Sequence, residues 1–247
     1  MDGPSVISWS LAPGGQPQAV ARLVRCDFRL PGRLCPVCQE REIHLELARF
    51  DLPIPSDVKP RAIQRIHTLS PEGFSLLVRS ITPDPELQAE LLPGTKLGKP
   101  IFSVPSRPID VVWVGLLLPL LSEQAVETFR SRNVEVNVFE VEIAPQRKKT
   151  PRFFGLIPKI CEVLDAEWLS QEMIQCAVCQ QWRVRPEIRV RKSVFHINAH
   201  VSASRWPDSC SIVYSPSLMT LFYSPAFVRA FQDADLLGAE FKQVNWV

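Results

Sequence analysis

A chain of 247 residues, 46% hydrophobic and 22% charged, with 28 basic against 26 acidic side chains and a net charge of +2, is too apolar and too nearly neutral to be intrinsically disordered. The length suits one large or two small domains able to bury a core without staples. The charge balance gives no global field to gather nucleic acid, so any basic surface has to be local. Two features remain: 23 prolines, which argue against long helices, and seven cysteines, four of them in two Cys-x-x-Cys pairs.

The first ten residues carry no basic region leading into an apolar run of signal-peptide length, so a cytoplasmic location is expected. Residues 52 to 108 hold much of the proline and read as short helices and turns, with helices expected at about 57–67 and 83–91. The most hydrophobic run, Val111 to Leu121, is eleven residues long, whereas a membrane-spanning helix needs about 20. It reads as a buried strand and its exit, and no membrane partner is expected.

Two later segments match each other. In the first, an apolar strand, Val111 to Leu118, leads to Ser122, then Ala125, Val126 and Phe129 at plus three, four and seven, then Asn133 and a strand from Val134. In the second, Leu218 to Tyr223 leads to Ser224, then Phe227, Val228 and Phe231 at the same offsets, then Gly238 and a strand from Ala239. Serine is a good N-cap, Pro225 suits the first helical position, and the three offsets make one helical face. Each segment reads as strand, helix, strand, repeated 102 residues apart (224 minus 122). The expectation is an α+β fold of mixed sheets and short helices, one compact domain over 1–247 with two pseudo-repeated halves, about 1–145 and 146–247.

The strand from Val134 alternates through Val136 and Val138 and then slips phase to Val141 and Ile143, which suggests a bulge near Phe139. Its outward face carries Glu135, Glu140 and Glu142. The segment after Cys179 carries Arg183, Arg185, Arg189, Arg191 and Lys192. Both are solvated strand faces in the plain reading and contact surfaces for a charged partner in the sharper one.

Cys35-Pro36-Val37-Cys38 and Cys176-Ala177-Val178-Cys179 have the spacing that lets both thiolates of a tight turn face one ion, and two such turns complete a tetrahedral sulfur site. Common zinc ribbons separate the pairs by about 15 to 20 residues, but here positions 39 to 175 intervene. A structural zinc, dithiol redox chemistry and plain buried thiols all remain open, while disulfides would need an oxidising compartment. Cys26, Cys161 and Cys210 read as single buried residues. His196 and His200 are four apart, but Ile197 stands where the metalloprotease signature has Glu. Isolated His44 and His67 read as ordinary polar residues, and no phosphate loop or Gly-x-Ser-x-Gly elbow is present. No catalytic constellation appears, so the protein reads as not an enzyme.

Laid out in this way, the chain resembles the double Cys-x-x-Cys-Gly family of immunity proteins, the antidotes to swarming-inhibition toxins of myxobacteria. The resemblance rests on Leu30-Pro31-Gly32-x-x-Cys35-Pro36-x-Cys38, on Leu92-Pro93-Gly94-Thr95-x-Leu97-Gly98, on Cys176-x-x-Cys179, and on the closing stretch Ser224 to Val244 with Phe227, Leu237-Gly238 and Phe241. It covers nearly the whole chain. It departs from the family where Gln39 and Gln180 replace the glycine after each second cysteine, a position that tends to need positive φ. The resemblance implies a non-catalytic protein that binds and neutralises one cognate protein toxin, with a zinc-knuckle-like clasp of Cys35, Cys38, Cys176 and Cys179 around a structural Zn2+. The competing reading is a zinc-ribbon nucleic-acid binder using Arg183 to Lys192.

Overall fold

The two serines expected to start helices do so in the same way. The computed structural model describes residues 5–7, 20–25, 28–44, 47–49, 52, 68–98, 100–105, 109–114, 118–144, 152–185, 199–239 and 241–247. The Ser122 hydroxyl accepts from the Ala125 N–H at 3.1 Å and starts the helix Glu123–Ser131; the Ser224 hydroxyl accepts from the Phe227 N–H at 3.2 Å and starts Pro225–Gln232. Each cap satisfies an N–H that the first helical turn leaves without a partner. Ala125, Val126 and Phe129 are buried on the first helix, and Phe227, Val228 and Phe231 on the second. Both helices also end alike. Asn133 and Asp235 take left-handed φ of 56° and 51°, and the next N–H, of Val134 or Leu236, turns back to the carbonyl of Phe129 or Phe231 at 2.9 and 3.2 Å. Asn and Asp tolerate this conformation better than other side chains, and the back-turned bond caps a free carbonyl.

What precedes each helix differs from expectation. The run Val111 to Leu118 is not one strand but Val111–Val114 folding back on Leu118–Ser122, and the second helix follows a matching hairpin, Ile212–Ser215 with Thr220–Tyr223. The turns were missed because these strands are buried on both faces, so an apolar run continues through them without alternation. Val111, Trp113, Ile212, Tyr214, Leu221 and Tyr223 face a shared core layer that also holds both helices. Val112, Val114 and Leu120 face a second cluster, and Val213 and Phe222 a third. In the shared layer the Phe129 and Phe227 rings stack with centroids 4.3 Å apart.

The first hairpin belongs to a closed six-stranded barrel, ordered Val111–Val114, Leu118–Ser122, Phe153–Leu156, Val138–Ile143, Ile101–Ser103 and Val20–Arg25. Phe102, Leu120, Phe139 and Phe153 fill it. The second hairpin lies in a five-stranded mixed sheet with Lys159–Ile160, Ser5–Ile7 and Phe241–Gln243. The α+β class with mixed sheets and short helices is therefore present, and the barrel is an addition to it. Closure depends on parallel pairings such as Trp113 with Val20 and Glu142 with Ile101, which leave no local sequence signal.

Three further expectations change. The strand thought to begin at Val134 begins at Val138 and pairs with Phe153–Leu156 in unbroken register. The phase slip marks the end of the helix-capping turn and the connection 134–137, not a bulge; the register shift is on the Val20–Arg25 strand, between Leu23 and Arg25. The helix expected at 83–91 is Pro85–Glu90, capped by Asp84, and Pro71–Ile81, capped by Ser70, was not foreseen. The helix expected at 57–67 lies outside the described residues. Among the described residues no helix is long and apolar enough to cross a membrane.

The two hairpin-helix units are interlocked. After the second helix, the Leu237 carbonyl accepts from the N–H groups of Asp110 and Val111 at 3.2 and 2.9 Å, and the Gly238 carbonyl accepts from Trp113 Nε1 at 2.8 Å. Gly238 has φ 111°, and a Cβ there would sit 2.3 Å from the Val111 carbonyl oxygen, so this crossing requires glycine. Phe129→Ala, at a fully buried site in the shared layer, is expected to cost about 3 to 5 kcal/mol and Ser224→Ala about 1 kcal/mol, both read from urea unfolding midpoints.

Candidate metal centre

Two copies of one turn build the site. Gly32–Leu34 pairs antiparallel with Arg41–Glu42, and Met173–Gln175 pairs with Trp182–Val184. Adding 141 converts the first register, Arg33 opposite Glu42, into the second, Ile174 opposite Arg183. The turns share their hydrogen bonds: Cys35 and Cys176 donate N–H to the carbonyls of Glu40 and Gln181 at 3.2 and 2.9 Å, and Gln39 and Gln180 donate N–H to the carbonyls of Cys35 and Cys176 at 3.0 and 2.9 Å.

Gln39 and Gln180 show how the turn forms without glycine. Their φ values are 56° and 58°, so the position does require the left-handed conformation. For a residue with a Cβ that conformation costs about 1 to 2 kcal/mol. In both turns the side-chain amide bends back and donates Nε2–H to a carbonyl three residues earlier, Pro36 at 2.6 Å and Ala177 at 2.8 Å. One such bond returns about 1 kcal/mol, which offsets most of the cost.

The four sulfurs converge. Cys35 Sγ lies 3.8 Å from Cys176 Sγ, Cys38 Sγ lies 3.7 Å from Cys179 Sγ, and all four fall within 4.8 Å of one another. A disulfide would need about 2.05 Å. Four sulfurs at about 2.3 Å from a central ion stand about 3.8 Å apart, so the spacing fits a tetrahedral site. Backbone N–H groups of Cys38 and Val37 point at the Cys35 sulfur and hold its pKa below the ordinary thiol value; those of Cys179 and Val178 lower Cys176 to about 6. Burial pushes Cys38 up and Cys179 up to about 12. Four close thiolates, three of them buried, repel one another unless a cation sits among them, and a soft tetrahedral sulfur set suits zinc or iron. These residues can therefore hold a metal ion.

A buried polar chain behind the clasp escaped the sequence reading. His44, 2% exposed, joins Nδ1 to the Tyr214 hydroxyl at 2.9 Å and Nε2 to the Glu42 carboxylate at 3.1 Å, and Glu42 also accepts from Arg33 Nε at 2.5 Å. Arg33 and Glu42 belong to the first clasp hairpin and Tyr214 to the five-stranded sheet, so the chain ties the metal centre to the core. The Leu92-Pro93-Gly94-Thr95 motif braces it: His44 N–H donates to the Pro93 carbonyl at 2.6 Å, and a Cβ on Gly94 would lie 2.9 Å from the His44 nitrogen. A lone histidine carries no spacing signal, so only the folded arrangement reveals it.

The charged candidates fare differently. Glu140 and Glu142 are exposed on Val138–Ile143, but Glu135 lies off the strand, in a cleft of about 300 Å3 with Lys159, Asp208 and Cys210. Glu140 accepts two 2.9 Å bonds from Arg152, which hold its carboxyl below the usual range, and Arg152 reaches Glu123 as well. The three glutamates do not form one face. Arg183 and Arg185 lie on and just after the second clasp hairpin, with Arg185 donating to the Ser170 carbonyl at 2.8 Å. Arg189, Arg191, Lys192, His196, His67 and Cys26 lie outside the described residues. His200 sits in a short strand with its ring stacked over Trp168, and Cys161 and Cys210 are half-buried rather than buried.

No family model matches the chain, and no curated protein matches it. Elemental analysis of protein purified without chelator is expected to find one metal ion per chain, lost in Cys35→Ser and Cys176→Ser; a metal-free wild type would refute the site. Binding displaces thiol protons, so the apparent affinity should weaken as pH falls. Gln39→Gly should keep the metal, whereas Gln39→Val, β-branched at a positive φ, should lower the melting temperature.

Proposed function

We propose that this protein is a non-catalytic immunity protein that binds and neutralises a cognate protein toxin in the cytoplasm, with a structural Zn2+ held by Cys35, Cys38, Cys176 and Cys179. The observation that carries the reading is the clasp: two matching Cys-x-x-Cys turns, 141 residues apart, meet in the arrangement that the resemblance implies. A zinc site with four protein ligands has no open position for water or substrate, which is the mark of a structural rather than a catalytic zinc. The bracing of the clasp by the Leu92 to Thr95 motif and the interlock at Leu237-Gly238 give the other family-like motifs a structural purpose. The two hairpin-helix units then make two related halves of one binder, which would meet its toxin through a large complementary interface with a few buried anchors. Thiolates of such a clasp stay available to metal in a reducing compartment.

The second reading, a zinc-ribbon nucleic-acid binder, draws on Arg183 and Arg185 beside the clasp. It would show DNA or RNA retention that falls steeply with salt, by about one log-log slope unit per phosphate contacted.

The test of the first reading is a search of the genes beside this one for a toxin-like protein, followed by co-expression with any found; an isolated gene would count heavily against the reading. The wild-type protein is expected to restore growth and to co-purify with the toxin as a stable complex. A toxin that kills equally with and without this protein would sink the reading.

A further inference from the structure

The four clasp sulfurs do not share the same surroundings. Cys35, Cys176 and Cys179 are buried, whereas Cys38 is half-buried and so is the clasp cysteine most open to solvent. Two backbone N–H groups point at each of two sulfurs, those of Cys38 and Val37 at Cys35 and those of Cys179 and Val178 at Cys176. The other two sulfurs, of Cys38 and Cys179, face the N–H groups of Glu40 and Gln181. A thiolate held by more donors is the poorer nucleophile, which leaves Cys38 and Cys179 as the reactive pair.

That pair is also placed to react together. Cys38 Sγ lies 3.7 Å from Cys179 Sγ, across the two turns. A disulfide needs about 2.05 Å, so each sulfur has to move by less than about 1 Å. The turns themselves are held by backbone bonds that do not involve sulfur: Cys35 and Cys176 donate N–H to Glu40 and Gln181, and Gln39 and Gln180 donate N–H to Cys35 and Cys176. Both hairpins can therefore stay in place while the sulfurs join.

We propose that Cys38 and Cys179 form an oxidation site that turns the metal clasp into a covalent one. This goes beyond the toxin-binding reading and does not depend on it. The oxidant is a hydroperoxide, of which hydrogen peroxide is the simplest. The Cys38 thiolate attacks one peroxide oxygen; an S–O bond forms, the O–O bond breaks, and the departing hydroxide takes a proton to become water. The Cys179 thiolate then attacks the Cys38 sulfur; the S–S bond forms, the S–O bond breaks, and a second hydroxide leaves as water with a second proton. The two sulfurs lose two electrons and the peroxide gains them. Only Cys35 and Cys176 then remain as thiolates in a site that takes four ligands, so bound metal is released. The two segments, 141 residues apart, stay joined. In a reducing compartment such a bond is transient, and thiol exchange restores the four thiols.

The experiment treats full-length protein, purified without chelator, with increasing hydrogen peroxide. Remaining thiols are alkylated, linked peptides are mapped by mass spectrometry, and a metal-sensitive dye follows release. The first product is expected to be the Cys38–Cys179 disulfide, with one ion released for each bond formed. Cys161 and Cys210 should still be thiols at that point; they are half-buried too, but belong to no thiolate cluster among the described residues. Dithiothreitol and added zinc should restore the starting state. Once metal is removed by a chelator, the oxidised protein should melt at a higher temperature than the reduced one. A first bond within one turn, Cys35 to Cys38 or Cys176 to Cys179, overturns the proposal. So does oxidation of Cys161 or Cys210 before the clasp, overoxidation of Cys38 without a bond, or no gain in melting temperature. The zinc reading fails separately. A metal-free wild type that forms the Cys38–Cys179 bond would discard zinc and leave this site standing, whereas a wild type that keeps its ion and all four thiols would do the reverse.

Discussion

Four sulfur atoms from two turns 141 residues apart set the constraint on which the rest of the chain depends. Positions 39 to 175 lie between the turns. Closing a loop of that length costs about 4 kcal/mol beyond a constant term, because the cost grows only with the logarithm of length. Metal binding to four thiolates supplies roughly 10 kcal/mol or more. An ion held there would outweigh the loop by a wide margin, so a long-range clasp is as tenable as a local ribbon. Its stabilising effect reaches further than the sulfurs. Arg33, Glu42, His44 and Tyr214 carry it by hydrogen bonds into the five-stranded sheet.

The second organising element is the layer shared by the two hairpin-helix units. Serine caps, buried positions three, four and seven residues on, and left-handed Asn133 and Asp235 all recur at a spacing of 102. The units nevertheless enter different surroundings, a closed barrel and an open mixed sheet. Each uses one face of its hairpin for the shared layer and the other for a private core. The same local motif thus serves two architectures, because what it fixes is the helix against its own hairpin.

What could be read from the sequence was local chemistry. Ser122, Ser224 and Pro225 announce helix starts because capping is decided within one turn of the chain. The Cys-x-x-Cys pairs announce thiolate turns for the same reason, although their meeting could only be inferred. The barrel was not legible, since Trp113 beside Val20 and Glu142 beside Ile101 are pairings of residues far apart in the chain. Nor were the hairpins, whose strands lack alternation because both faces are buried. Gln39 and Gln180 are the most instructive case. Against a glycine pattern they look like a defect, yet each side chain supplies the hydrogen bond that makes its own left-handed backbone tolerable. Propensity alone does not contain that compensation.

The crossing at Leu237 and Gly238 has a consequence for how the chain is made. The N–H groups of Asp110 and Val111 and the indole of Trp113 find their acceptors some 125 residues later. At about 5 to 20 residues per second, a ribosome takes about 6 to 25 s to deliver them. During that interval the N–H groups of Asp110 and Val111 at the start of the barrel strand, and the Trp113 indole, depend on water or a chaperone for acceptors. Protease digestion of ribosome-bound chains stalled before and after residue 238 emerges reads this directly, and equal resistance at both points would show that the barrel closes without it. The stretch at Leu237 and Gly238 thus covers donors that the chain laid down some 125 residues earlier.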